Sequence, residues 1–303
     1  MKMTPVIHAA TEGGLHIIGA EPRVELEGSD VAALATVGDG RWAIVDVHEV
    51  WRNDGAGAWE QVASVPDRRL NCLLPVADDV LIGTSEAHLL RLRDGHADPV
   101  PGVEAAEGRT AWHTPWGGPP DVRSLATDRA GTLYANVHVG GILRSEDGGS
   151  TWRPTIPIEA DVHEVRAPRD DLLLAAVADG LALSRDRGAS WSYDAANLHA
   201  RYSRAVGLAD ETILLSASRG PRGGQVALYR RAVDAPGSFE RCTTGLPEWF
   251  DDNIDSGCLA TNGSAAAFGT GDGRVFLSED SGISWRLVAS DLPRVRAVLV
   301  ANA

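Results

Sequence analysis

Cysteine is scarce in this chain: Cys72, Cys242 and Cys258 are the only three in 303 residues, odd in number, far apart and without a C-x-x-C spacing. That pattern implies neither a disulfide framework nor a zinc knuckle, and it fits a reducing cytoplasm. Long apolar runs are missing too. None nears the roughly 18 residues of a membrane helix, and the opening MKMTPVIHAATEGG has no stretch of signal-peptide character. The expectation is a soluble, cytoplasmic protein with no membrane partner. Basic charge is in deficit, 28 Lys and Arg against 42 Asp and Glu for a net charge of -14, which argues against nucleic acid as a partner. Aromatic residues make up only 6%, yet 44% of the chain is hydrophobic, so core material is ample and disorder is not expected. Helical periodicity is absent from every window of roughly 11 residues.

What the chain does contain is an octet. SEDGGSTW at 145–152 returns as SRDRGASW at 184–191 and SEDSGISW at 278–285. In S-x-D-x-G-x-[ST]-W, the Asp carboxylate can accept the backbone N–H groups of the turn that follows it. The Gly two residues later takes positive φ at no steric cost. The Trp opens the next strand with a large apolar surface to bury. Together these residues spell a capped turn between antiparallel strands. Weaker copies lie at RNDGAGAW (52–59), LRDG (92–95) and AVDAPGSF (232–239), and the Asp-to-Asp intervals run from 39 to 53 residues. That is the period of a propeller blade.

Upstream of each turn a short apolar strand, a polar turn and a second strand recur seven times, from HAATEGGLHII to FGTGDGRVFLS. The fourth blade reads DVRSLATD, TLYANVH, GILRSE and TWRPTIP for its four strands. The C-terminal RVRAVLVA has no blade of its own, and the first instance lacks a strand ahead of it. Residues 294–301 are therefore expected to complete the blade built from residues 5–27, leaving no open sheet edge. The expected fold is all-β, a single seven-bladed β-propeller domain over residues 1–303.

The octets resemble the Asp-box of BNR-repeat propellers, a superfamily that includes sialidases, endoglucanases acting on xyloglucan, sortilin-type receptors and photosystem assembly factors. The resemblance covers essentially the whole chain. It implies the propeller, and for function it implies an enzyme, a receptor or a scaffold, because sites are grafted onto this fold in several ways. The octet aspartates themselves are expected to be structural, since they lack the spaced acidic ligands of a calcium loop. A sialidase would use an arginine triad, for which Arg123, Arg204 and Arg296 are the matching candidates. The chain departs from sialidases in having no Arg-Ile-Pro segment near its N-terminus and seven blades rather than six.

Candidate functional residues lie on the face opposite the octets, where the connections are irregular: VEAAEGRTAWHTPWGGPP at 103–120, SRGPRGGQ at 218–225 and LPEWFDDN at 246–253. Aligned on the V-R-S-L frame of the fourth blade, the second residue of each first strand reads Ala32, Asn71, Arg123, His163, Arg204, Gly257 and Arg296. Three guanidiniums converging there would suit a small anionic or carbohydrate ligand bound through carboxylate, sulfate or phosphate. The alternative is that these arginines pair with Asp121, Asp161, Glu164 or Asp255. Trp112, Trp116, Trp249 and Tyr202 are candidate stacking platforms for a sugar, and Asn71 a polar contact. Glu12, Glu86, Glu248, Asp251 and Asp272 are candidate acids for a glycoside-hydrolase-type reaction, with His163 as a proton acceptor. No cofactor is called for. One further alternative is a metal held by His163 with His113, His138 or His199. The rival from another class is a non-catalytic scaffold with a protein partner on the loop-rich face, and it predicts that the arginines are internally paired.

Overall fold

The computed structural model describes residues 5–302 except 56, 116 and 236. Seven four-stranded antiparallel sheets make the chain an all-β seven-bladed β-propeller. Helix among the described residues is confined to Pro101–Glu104 and the 3-10 turns Ser85–Ala87, Arg109–Ala111 and Ile158–Ala160. The expected closure is present: Val295–Asn302 pairs antiparallel with Pro5–Thr11, in a register that sets Val6 opposite Ala301 and Ala10 opposite Ala297. Gly14–Ile18 and Arg23–Glu25 complete that sheet.

Two compact units divide the chain, Met1–Val31 with Ala176–Ala182 and Tyr193–Ala303, and Ala32–Ala175 with Leu183–Ser192. The first unit holds the closing sheet and the sheets that begin at Val206 and Leu259. Its largest core cluster is aromatic, with Phe268 edge-on to Trp285 at 5.0 Å and to Phe250 at 5.5 Å. The second unit holds the sheets that begin at Leu70 and Val122, the sheet that opens at Val31 from Ala32 onward, and Val162–Arg166. Leu81, Leu89, Val122, Leu133, Leu143 and Trp152 form its core beside the strand Val122–Thr127.

The octet turns behave as their residues predict. Ser145 Oγ donates to Asp147 at 2.8 Å, and Asp147 in turn accepts the backbone N–H of Thr151 at 2.9 Å and its hydroxyl at 2.6 Å. The amide of Gly149, at φ 93°, donates to Ser145 Oγ, and the Trp152 indole donates to the Gly149 carbonyl at 3.0 Å. Ser184, Asp186, Gly188 and Ser190 repeat the same bonds, as do Ser278, Asp280, Gly282 and Ser284. In the weaker copy Arg52 stands where the serine does, and the neighbouring Asn53 accepts the Gly55 amide at 2.9 Å instead. The hydroxyl of Thr151 leads the interactions that hold Asp147 down to about 2, and Ser190 does the same for Asp186. Trp152 and Trp285 are buried, whereas Trp59 and Trp191 are only half-buried, so not every indole that ends such a turn enters the core.

Candidate functional site

The second-residue alignment of the first strands holds in five blades. Ala32, Asn71, Arg123, His163 and Arg296 are each the second residue of a strand, while Arg204 and Gly257 lie two residues ahead of Val206–Ala209 and Leu259–Asn262. The side chains at these positions differ in what they meet.

In the first unit, Arg204 is engaged on three sides. It pairs with Asp255, donates to the Pro221 carbonyl at 3.2 Å and reaches the Tyr202 hydroxyl at 3.4 Å, with its guanidinium over the Tyr202 ring. Burial works against its charge, but Asp255 outweighs burial and raises its pKa. Arg294 lies 3.7 Å from both Asp252 and Asp255. Arg296 meets Glu12 at 2.9 Å and Asp30 at 3.3 Å. Asp272 pairs with Arg274 at 2.6 Å and accepts the Thr270 hydroxyl; burial opposes its ionisation, and these bonds prevail to lower its pKa.

The loops at 218–225 and 246–255 of this unit are tied together through their backbones. Gly224 N–H donates to Asp251 O at 2.8 Å, Val226 and Phe250 exchange bonds at 2.9 Å, and the Asn253 amide donates to the carbonyls of Gly220 and Pro221. Arg219, Arg222, Glu248, Asp251 and Asp252 stay exposed on this platform. Trp249 is half-buried, with the Arg241 guanidinium 3.7 Å from its ring centre and His199 at 4.7 Å. Burial lowers the pKa of His199, whose Nδ1 lies 2.8 Å from the Tyr229 hydroxyl.

In the second unit the first part of the insertion, 103–112, folds inward. Val103, Ala106 and Trp112 join the core, and Trp112 is 8% exposed with Arg109 stacked over it at 5.1 Å. The indole therefore faces the interior rather than a ligand. Arg109 also donates to the Ala87 carbonyl and pairs with Glu104, which contacts His88. Trp116 lies outside the described residues. Glu86 is exposed in a tight turn at φ 62°. Asn71 donates its amide to the Val122 carbonyl at 3.4 Å.

His163 and His138 do come together in this unit, joined by Asp161. Asp161 Oδ1 lies 3.0 Å from His138 Nε2 and 3.7 Å from His163 Nε2, and the two rings sit 5.4 Å apart. Burial resists the ionisation of Asp161, but its contact with His138, followed by the charges of His163, His138 and Arg123, lowers its pKa. Among the histidines named for a metal, His113 bonds the Ala111 carbonyl and His199 belongs to the Trp249 stack. Asp161 as the joining carboxylate had one sequence signal, its place two residues before His163, although it lies ahead of the strand Val162–Arg166 at φ 47°.

No protein-family model matches the chain. No curated protein matches it either. Solved structures do. The structure titled YCF48 bound to D1 peptide matches with a TM-score of 0.55 and 16% identity, over 95% of this chain and 94% of that one. The GH74 xyloglucanase from Xanthomonas campestris matches with a TM-score of 0.60 and 16% identity over 95% of this chain, but the match spans only 47% of the enzyme. The WD40 β-propeller domain of Doa1 matches with a TM-score of 0.65 and 13% identity, over 95% and 87% of the two chains. The likeness is one of fold.

Proposed function

We propose that this chain is a non-catalytic interaction propeller whose partner is a protein segment. The observation that carries the reading is the internal pairing of two of the three candidate arginines: Arg204 is engaged by Asp255, and Arg296 by Glu12 and Asp30. A guanidinium that is to clamp a ligand carboxylate or phosphate must present its fork to that ligand. These forks already hold carboxylates of their own unit.

The backbone-tied platform of 218–225 and 246–255 supports the same reading. It is pre-organised and carries exposed charges of both signs beside a half-buried Trp249, which suits a broad contact better than a deep small-molecule pocket. The net charge of -14 favours a partner segment of basic character. The likeness to YCF48 bound to a peptide, nearly end to end in both chains, adds weight.

A second reading, a glycoside-hydrolase-type protein for a small sugar-like anion, takes support from the xyloglucanase likeness. It requires Arg204 to give up Asp255 when the ligand arrives. The experiment for the interaction reading is crosslinking in the native host with carboxylate-directed reagents, because lysine occurs only at position 2. The expected product is one defined protein joined through Glu248, Asp251 or Asp252. Crosslinks scattered over the octet turns, with none on this platform, would count against it.

A further inference from the structure

Three side chains of the second unit bring metal-ligand atoms to one place. His138 follows the strand Leu133–Val137, His163 is the second residue of Val162–Arg166, and Asp161 precedes that strand in the left-handed region at φ 47°. The two imidazole nitrogens and the carboxylate oxygen lie within 4.8 Å of one another. His163 is 0% and His138 7% exposed, and although the Asp161 side chain is 29% exposed its Oδ1 is buried, so the cluster is largely enclosed and the outer part of Asp161 lies nearest solvent.

We propose that His138, His163 and Asp161 form a binding site for one divalent first-row transition cation of the zinc class. Two imidazoles and one carboxylate are a ligand set these ions take, leaving coordination positions for water. Bonds of about 2.0–2.1 Å place neighbouring donors of a tetrahedral ion roughly 3.4 Å apart. The 3.0 and 3.7 Å separations around Asp161 Oδ1 bracket that spacing.

A second observation points the same way. Asn136, in the strand Leu133–Val137, stands two residues before His138. It is 0% exposed, and neither atom of its side-chain amide has a hydrogen-bond partner among the described residues. A buried amide is normally satisfied by protein or ordered water. A water ligand of a cation held at His138 would donate to the Asn136 side-chain oxygen, one of the two atoms left without a partner. Arg123, whose charge is felt at Asp161, works against any cation there, so binding rests on the imidazole donors, which suit the zinc class better than magnesium.

The site is independent of the interaction reading and is tested on the metal-stripped full chain with Zn²⁺ and Co²⁺ as probes. Calorimetry is expected to show one Zn²⁺ per chain. Co²⁺ is expected to give ligand-field absorption without a thiolate charge-transfer band, since no cysteine belongs to the cluster. Asp161→Asn, which preserves shape at a part-exposed position, and His138→Gln should each weaken binding at least about tenfold. Should His138→Gln fail to fold, Asp161→Asn alone decides. Absence of stoichiometric Zn²⁺ binding in the parent chain, or equal affinity in folded Asp161→Asn, overturns the proposal.

Discussion

Arg296 closes its guanidinium on Asp30, 266 residues earlier in the chain, at 3.3 Å. The pair links the strand that completes the closing sheet to the segment leaving that sheet, and Glu12 joins it at 2.9 Å. A residue that looked like a ligand clamp thus takes part in chain closure.

Removing these arginines should therefore register as a loss of stability. Arg296→Ala, at a partly exposed pair, should cost about 1 kcal/mol. Arg204→Ala leaves Asp255 without its closest partner and should cost about 1.5–3 kcal/mol. Urea unfolding measures both, and a double-mutant cycle with Asp255→Ala should return a favourable coupling between Arg204 and Asp255.

The octet tryptophans should separate by burial. Trp152, 4% exposed and hydrogen-bonded through its indole, should lose about 3–5 kcal/mol on truncation to Ala. Trp191→Ala, at a half-buried position with no hydrogen-bond partner for its indole among the described residues, should cost clearly less in the same unfolding assay.

Acid should weaken the fold over a defined window. The hydrogen bond from Arg93, opposed by burial and reinforced by Arg91, lowers Asp79 from 3.8 to about 2. Because the folded value is depressed, the unfolded chain takes up this proton first as pH falls. Its stabilisation is full above about pH 4 and is lost as the pH drops to about 2, and Asp147 and Asp186 act with the same sign. Urea midpoints measured across that window should fall less steeply for Asp79→Asn than for the parent.

Gly245 has φ 79°, and a Cβ there would lie 1.7 Å from the Trp285 carbonyl oxygen. Left-handed strain and overpacking together predict about 2–5 kcal/mol of destabilisation for Gly245→Ala. Gly28→Ala, at φ 85° with nothing within 4 Å of the added carbon, should cost only about 1–2 kcal/mol. Thermal unfolding of the pair separates strain from steric clash.

The propeller was legible because its signals are local and repeated. Ser145, Asp147, Gly149 and Trp152 set each other's geometry within eight residues, and their spacing survives in the other octets. The site was less legible because partners come from distant segments. Nothing adjacent in sequence joins Arg204 to Asp255, or His138 to Asp161 and His163. The pentapeptide DVHEV shows why. At 46–50 it makes a tight turn, with Asp46 and Val47 at positive φ and His48 bonded to the Arg68 carbonyl; at 161–165 it enters a strand and brings Asp161 and His163 to His138. One local sequence serves two ends, and the surrounding sheet decides which.

The most direct test of the interaction reading is a thermal-shift titration of the parent chain and Arg204→Ala against sugar acids, sulfated and phosphorylated sugars and neutral xyloglucan oligosaccharides. If Arg204 is committed to Asp255 and Arg296 to Asp30 and Glu12, no member should stabilise the parent, and Arg204→Ala should differ only by a lower baseline melting temperature. Stabilisation of the parent by one anionic class, abolished in Arg204→Ala, would contradict that account and return the arginines to a ligand site.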